Sequence, residues 1–459
     1  MKYITTRGGA APLSFEEAVM LGLAPDGGLL LPEQIPCVTP RLAEWAGLPF
    51  EHLARVVLRL FTDLAEADLA RLVSQSYAGF AHPDVTPLVS VDGLHVLELF
   101  HGPTLAFKDI ALQLLGNLFE YFLGRSGRVL NIIAATSGDT GSAAIAGVRG
   151  RRGIRIFVLY PRGRVSPLQE RQMTTVLDDN VFNVAVEGTF DDCQRIVKAL
   201  LNDADLRQRY GLGAVNSINW ARILAQMVYY CFAALRVCRL TGCRAVQFAV
   251  PTGNFGDIFA GYLAARLGLP IARLVLATNE NDILCRFFNT GQYVRGPVRQ
   301  TISPSMDIQV ASNFERYLYY RLGESPAAVR RAMETFSASG QLTVAPLADG
   351  HVDPLIVAGR ATTADTLNTM REWYVRWGYL LDPHSAVGVC VAQQHAAPDT
   401  PMICLATAHP AKFPEAVREA TGKDLARHPR LDGLRDLPTR ASVLPADEQA
   451  FRRFLEEHA

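Results

Sequence analysis

The feature that most constrains this chain is a rhythm. Short, continuously apolar runs recur, each followed by a polar or glycine-rich loop and then by a helical pattern. The runs are LHVLELF (94–100), RVLNIIAAT (128–136), IRIFVLYP, NVFNVAVEG, RAVQFAVP (244–251), ARLVLATN (272–279) and PMICLATAHP (401–410), the last clear one. Strands that are apolar on both faces, and that alternate with helices, belong to parallel sheets covered on each side. The expected fold class is therefore α/β. Ahead of it, residues 1 to about 90 are punctuated by proline and glycine. GGLLLPEQIP (27–36) predicts a short strand, and FEHLARVVLRLF and LAEADLARLVSQSYAGF carry helical periodicity. HPDVTPLVSVDG (82–93) predicts a hinge, and the charged tail beyond about 425 a surface helix.

At 459 residues the chain is long enough for two or three domains. Its 45 basic and 45 acidic residues cancel, which argues against nucleic acid or an anionic membrane as a partner. RGRRGIR (149–155) is a local exception and is expected to be a solvated loop. MKYITTRGGAAPLSF lacks the apolar core of a signal peptide, and no apolar run is seen that approaches the roughly 20 residues of a bilayer span. The eight cysteines form no CxxC pair and the ten histidines no HExxH, so a structural zinc site is not expected. Reduced core cysteines and a cytoplasmic location are.

In open α/β sheets, ligands bind at the carboxyl ends of the strands. Three loops lie at such ends. PTGNFGD (251–257) opens a helix, and its glycines let backbone N–H groups approach an anion and tolerate positive φ; the alternative is a tight turn. ATSGDTG (135–141) offers the hydroxyls of Thr136, Ser137 and Thr140 at a helix start, suited to a carboxylate or to simple capping. LATAHPAKF (405–413) ends a strand with Thr407; a lone His409 at such a place is more often structural, and Lys412 is set aside with it. A fourth loop, HGPTLAFKDI (101–110), places Lys108 between Phe107 and an apolar helix start. A desolvated amine there is a usable nucleophile or base; the alternative, which this stretch alone favours, is a lysine that snorkels out beside a helix N-terminus. A buried lysine, a phosphate cup and a carboxylate loop on a parallel sheet suggest a pyridoxal phosphate enzyme.

At this point the sequence resembles the threonine synthase family, within the tryptophan-synthase-β-like fold type II of pyridoxal phosphate (PLP) enzymes. The blocks LFHGPTLAFKD, ATSGDTGSAAI, VEGTFDDCQ, NSINWARILAQ, PTGNFGDIFAGY and LATAHPAKFPEAV occur in the family's order, and APDGGLLLPEQIP is similar to its N-terminal segment. The resemblance runs from about residue 3 to 420. It implies two parallel-sheet α/β domains with a cofactor cleft between them and an N-terminal α+β module. The expected boundaries are 1–93 for that module and 94–430 for the catalytic region, with 94–125 and 212–430 forming its larger part and 126–211 its smaller part. A helical tail, 431–459, is expected after it.

The resemblance further implies that Lys108 forms the internal aldimine with pyridoxal 5′-phosphate. Gly253, Asn254, Phe255, Gly256 and Asp257 would surround the cofactor phosphate, and Thr407 would meet the pyridine nitrogen. Thr136, Ser137, Asp139 and Thr140 would take the substrate carboxylate, and Arg164, Ser166, Asn219 and Arg222 the substrate phosphate. The implied reaction converts O-phospho-L-homoserine and water to L-threonine and phosphate, in a monomer or homodimer. Rivals within the fold are a serine/threonine dehydratase, a cysteine synthase, a diaminopropionate lyase and a related phospholyase that releases a ketoacid; outside it stands a non-catalytic binding relative.

Overall fold

The computed structural model describes residues 1–348, 350–397 and 399–459. Two sheets carry the architecture. The larger runs in the order Ile356–Arg360, Ile271–Thr278, Val246–Pro251, Met402–Ala406, Leu94–Glu98, Leu88–Val91. Its pairings are parallel except the last, where 88–91 lies antiparallel to 94–98. The smaller runs Ser442–Pro445, Val181–Glu187, Ile154–Pro161, Leu130–Ala135, Leu212–Gly213, with parallel pairings. The central strands are apolar on both faces because helices cover both. Val246–Pro251 is buried at every position.

The expected strands thus form, and further elements join them, among them the short strands Tyr3–Thr5, Gln292–Val294 and Gln341–Thr343. Ile356–Arg360 was missed because IVAGR is short and ends in glycine and arginine. Residues 431–459 are not simply a helical tail: Ser442–Pro445 extends the smaller sheet, and the helix Glu448–His458 buries Phe451 and Leu455 against that sheet's apolar side. The segment 82–93 holds an edge strand rather than only a hinge. The strands Leu88–Val91 and Leu212–Gly213 also lie across the expected boundaries from the sheets they join. A two-residue strand leaves no periodic signal to read.

The helix Phe50–Arg59 buries Phe50, Leu53, Ala54, Val57 and Leu58, the i, i+3, i+4, i+7, i+8 stripe of an amphipathic helix. That stripe docks the N-terminal residues on the long helix Trp220–Thr241. By length and composition this long helix could cross a membrane, contrary to the sequence expectation that no such run exists, but most of it is buried inside the protein. That is how a core helix behaves.

The two sheets' layers meet where Lys108–Ser126 packs on Asp139–Val148. Glycines allow backbone contact there. A Cβ on Gly116 would lie 1.9 Å from the Gly147 carbonyl oxygen, and one on Gly147 2.6 Å from that of Leu112. Gly116→Ala should therefore lower the thermal midpoint, at a cost of about 1–3 kcal/mol for overpacking. Gly124→Ala, on the same helix but with open space at its Cβ, should raise stability by up to about 1 kcal/mol through helix propensity. Differential scanning calorimetry of the pair checks the sign of each.

Candidate active site

Lys108 is the first residue of the helix Lys108–Ser126. The loop before it is pinned from two directions. Asp109 is fully buried and accepts hydrogen bonds from the Thr104 backbone N–H (2.8 Å) and hydroxyl (2.6 Å). Phe107 N–H donates to the Thr407 carbonyl at 2.8 Å, and Ala106 bridges to Ala408. The Lys108 amine is thereby held in the interior, 8% exposed, donating to Ser305 Oγ at 3.5 Å and lying 3.8 Å from Asp139 Oδ2.

Asp139 opens the helix that follows strand Leu130–Ala135. Its Oδ1 receives Lys412 Nζ at 2.8 Å and Gln169 Nε2 at 2.9 Å. Lys412 is 1% exposed and also donates to the Thr104 carbonyl at 2.8 Å. One carboxylate thus sits between two ammonium groups. Burial pushes the Lys108 amine below the ordinary lysine range, Asp139 opposes that, and Lys412 and Arg222 add to it. Burial alone would raise Asp139, but Lys412 and then Lys108 hold its carboxyl well below the usual range.

Lys412 and Ser305 were not among the expected site residues. Lys412 stands in a quoted loop, yet its burial beside Asp139 depends on a contact between two sheets that no local pattern reveals. Ser305 is held by a neighbour: its N–H donates to His384 Nε2 at 3.2 Å, and His384 Nδ1 faces Asp382 Oδ1 at 2.9 Å. Asp382 also accepts from the Ser385 hydroxyl, which in turn receives the Thr407 N–H at 3.0 Å. Thr407 is thus fixed by its backbone on both sides.

The glycine cup lies between strand Val246–Pro251 and helix Gly256–Arg266. Gly253 is required by close approach: a Cβ there would meet the Ser305 carbonyl oxygen at 2.5 Å. Positive φ, expected at the glycines, falls instead on Phe255 (φ +64°), whose buried ring packs on Phe288, Phe314 and Tyr317. The aromatic packing holds the strained backbone. Asn313 donates to the Asn254 carbonyl at 3.0 Å and braces the turn. Asp257 is buried and accepts from Tyr229 (2.5 Å) and Tyr230 (2.9 Å); burial pushes its carboxyl up to about 6 against those two hydrogen bonds.

The remaining candidates divide. Arg222 is buried, with Nε and Nη1 lacking a partner among the described residues, and burial pushes it down to about 10. Asn219, 1% exposed, is engaged within the fold: its Oδ1 caps Ala221 N–H at 3.0 Å and its Nδ2 donates to the Val19 carbonyl at 2.8 Å. The Thr136 hydroxyl accepts from Gly138 and Gly141 N–H and shapes its own loop. The Asp139 carboxylate is engaged by the lysines rather than open to another carboxylate. Ser137 is exposed and Thr140 half-buried. Arg164 is exposed, and Ser166 caps the helix Pro167–Thr174 and bonds Gln169, the residue that reaches Asp139.

Among the features expected of a pyridoxal phosphate site, a buried amine is present for the aldehyde, a glycine cradle at a helix N-terminus for the phosphate, and an unpartnered buried guanidinium for a second anion. The residues fit the cofactor. The fold and site define a class, and comparison agrees: residues 81–349 match the family described as pyridoxal-phosphate dependent enzyme. Residues 2–77 match the threonine synthase N terminus and 385–455 the threonine synthase C-terminal family.

The chain is 47% identical to threonine synthase of Pseudomonas aeruginosa, over 100% of this chain and 98% of that protein. A crystal structure of PLP-bound threonine synthase from Brucella melitensis superposes with a TM-score of 0.96 at 47% identity, covering 100% of this chain and 99% of that one. The yeast threonine synthase structure gives 0.95 at 42% identity, covering 100% and 98%. The chain belongs to the threonine synthase family, and its cofactor is pyridoxal phosphate.

Two measurements test this site. Gly253→Ala should speed cofactor dissociation at least tenfold, because the new methyl meets backbone. Gly256→Ala should do far less, since its Cβ would meet only the Asn313 side chain, at 3.2 Å. Equal off-rates in gel-filtration release assays would refute the cradle. Lys412→Met leaves Asp139 facing Lys108 alone, so the Lys108 amine should keep its proton to higher pH. Carbon-13 NMR of lysine Cε in the cofactor-free enzyme should show that upward shift relative to the wild type.

Proposed function

We propose that the chain converts O-phospho-L-homoserine and water into L-threonine and phosphate. The observation that carries this reading is Arg222, a buried guanidinium with two unpartnered nitrogens whose charge reaches Lys108. A chain that leaves such a group unpaired is matched by an anionic substrate. Burying a charge without a partner is otherwise costly.

The cofactor, when bound, supplies the electron withdrawal that lets protons leave the substrate's carbon skeleton. The chain's own groups do the rest. Lys108 holds the cofactor and, once displaced by substrate, carries the proton from the α-carbon. To do so its amine must be neutral, and burial together with Lys412 favours that form. Asp139, fixed by Lys412 and Gln169, keeps the amine oriented without claiming it fully, at 3.8 Å. Ser137 and Thr140, at the start of helix Asp139–Val148, offer hydroxyls and N–H groups to the substrate carboxylate. Arg222 orients the substrate phosphate and stabilises it as it leaves.

Product analysis after incubating the holoenzyme with O-phosphohomoserine tests the reading. Threonine and phosphate in equal amounts are expected; 2-oxobutyrate would make the enzyme a phospholyase instead. Homoserine should be inert. Lys108→Ala should abolish turnover, and Arg222→Met should lower kcat/KM roughly tenfold to more than a hundredfold, since a charge-assisted hydrogen bond is worth about 1.5–3 kcal/mol. Arg164→Ala, on an exposed residue, should cost less than Arg222→Met. An unchanged cofactor spectrum in Arg222→Met would separate a substrate role from a cofactor role.

A further inference from the structure

At the far end of the helix Trp220–Thr241, roughly 24 Å along its axis from Arg222 at about 1.5 Å per residue, two cysteines face each other. The helix ends on Gly242 in the left-handed conformation, whose N–H returns to the Cys238 carbonyl at 2.9 Å. That motif brings the fourth-last helical residue against the residue after the glycine. In most proteins the pair is simply apolar. Here it is Cys238 and Cys243, with their sulfurs 3.2 Å apart and both residues half-buried. The cap is held further by Thr241, which donates to the Val237 carbonyl at 2.9 Å and accepts from Cys243 N–H at 3.3 Å.

We propose that Cys238 and Cys243 are a thiol pair that low-molecular-weight disulfides convert to an intramolecular disulfide. A disulfide needs a sulfur separation of about 2.05 Å, so the sulfurs must close by about 1.2 Å from where they stand. Rotation about the two χ1 bonds is the movement that would have to supply that closure. The other six cysteines have no such neighbour in sulfur reach among the described residues, and four of them are buried in apolar surroundings.

The exchange balances as follows. The Cys243 thiolate attacks one sulfur of oxidised glutathione, forming a mixed disulfide and releasing one glutathione thiolate. Cys238 then loses its proton and attacks the Cys243 sulfur, releasing the second. Two protein thiols are oxidised by two electrons, and one small disulfide is reduced to two thiols, which take up the two protons. Burial, and then the neighbouring Cys243, push the Cys238 thiol up to about 12. Cys243 also lies beyond the helix end, after the exposed residues 240–242, so it is the thiol an incoming disulfide meets first and Cys238 is the resolving partner. The pair would prevent a lasting adduct at Cys243 and would leave the catalytic groups at the other helix end untouched.

The test uses the folded holoenzyme carrying Cys37→Ser, which removes the exposed thiol. The protein is incubated with oxidised glutathione, quenched in acid and digested with trypsin. The expected product is VCR (237–239) joined to LTGCR (240–244), at least tenfold over glutathione-modified LTGCR, with turnover unchanged. In Cys238→Ser the same treatment should leave a persistent glutathione adduct on Cys243, at least tenfold more than in the parent. A stable adduct on Cys243 beside a free Cys238 in the parent would overturn the proposal. So would the absence of any thiol loss at both positions while unfolded protein reacts.

Discussion

Two ammonium groups share one carboxylate in the interior of this protein, and the rest of the site is arranged around that imbalance. Had Asp139 faced Lys108 alone, the low dielectric would have favoured a fixed ion pair and a protonated, unreactive amine. Lys412 takes the shorter contact, 2.8 Å on Oδ1 against 3.8 Å for Lys108 on Oδ2, and its own charge partly offsets the hold of Asp139 on the Lys108 proton. The amine is left oriented but poorly paired, in a setting where burial already works against its proton. Of the five lysines in the chain, these two are the buried ones, and they meet here.

The fold makes the arrangement possible by bringing three loops together. Strands Leu94–Glu98 and Met402–Ala406 are neighbours in the larger sheet, so the loops after them set Lys108 and Lys412 side by side. Asp139 arrives from the smaller sheet, on a helix pressed against that of Lys108 through Gly116 and Gly147. The charges therefore tie the two halves together, with a definite pH dependence. Asp139 has a folded value below its unfolded one, so its contribution is full above the ordinary carboxylate value of 3.8 and is lost as pH falls through the folded value. Lys108 has a folded value below the ordinary 10.5, so it costs stability at neutral pH, and that cost fades as pH rises through the interval between the two values.

Much of this was legible in the sequence. Lys108 stood out because an apolar helix start is an unusual place for a charge, and PTGNFGD because glycines before a helix invite an anion. The glycine loop is read from neighbouring residues alone, whereas a buried Lys108 is favoured only when the other loops are read with it. The sequence is less legible where side chains from distant segments decide the outcome. Asn219 and Arg222 stand three apart in one motif, yet the first caps a helix and binds the N-terminal module while the second is left unpaired. Nothing in NSINWAR separates them. The glycines of the cup were identified for the right loop, but the left-handed residue is Phe255, permitted by an aromatic cluster drawn from residues 288 to 317. Lys412 was visible and set aside, since a lysine's burial is a tertiary fact.

Everything in this site turns on a weakly held proton at Lys108 in the folded protein. With only five lysines, the cofactor-free enzyme labelled at lysine Cε with carbon-13 can be titrated by NMR, and Lys108 assigned by its absence in Lys108→Arg. The Lys108 signal should titrate clearly below the ordinary lysine value of 10.5. A Lys108 signal that titrates at or above that value would contradict it.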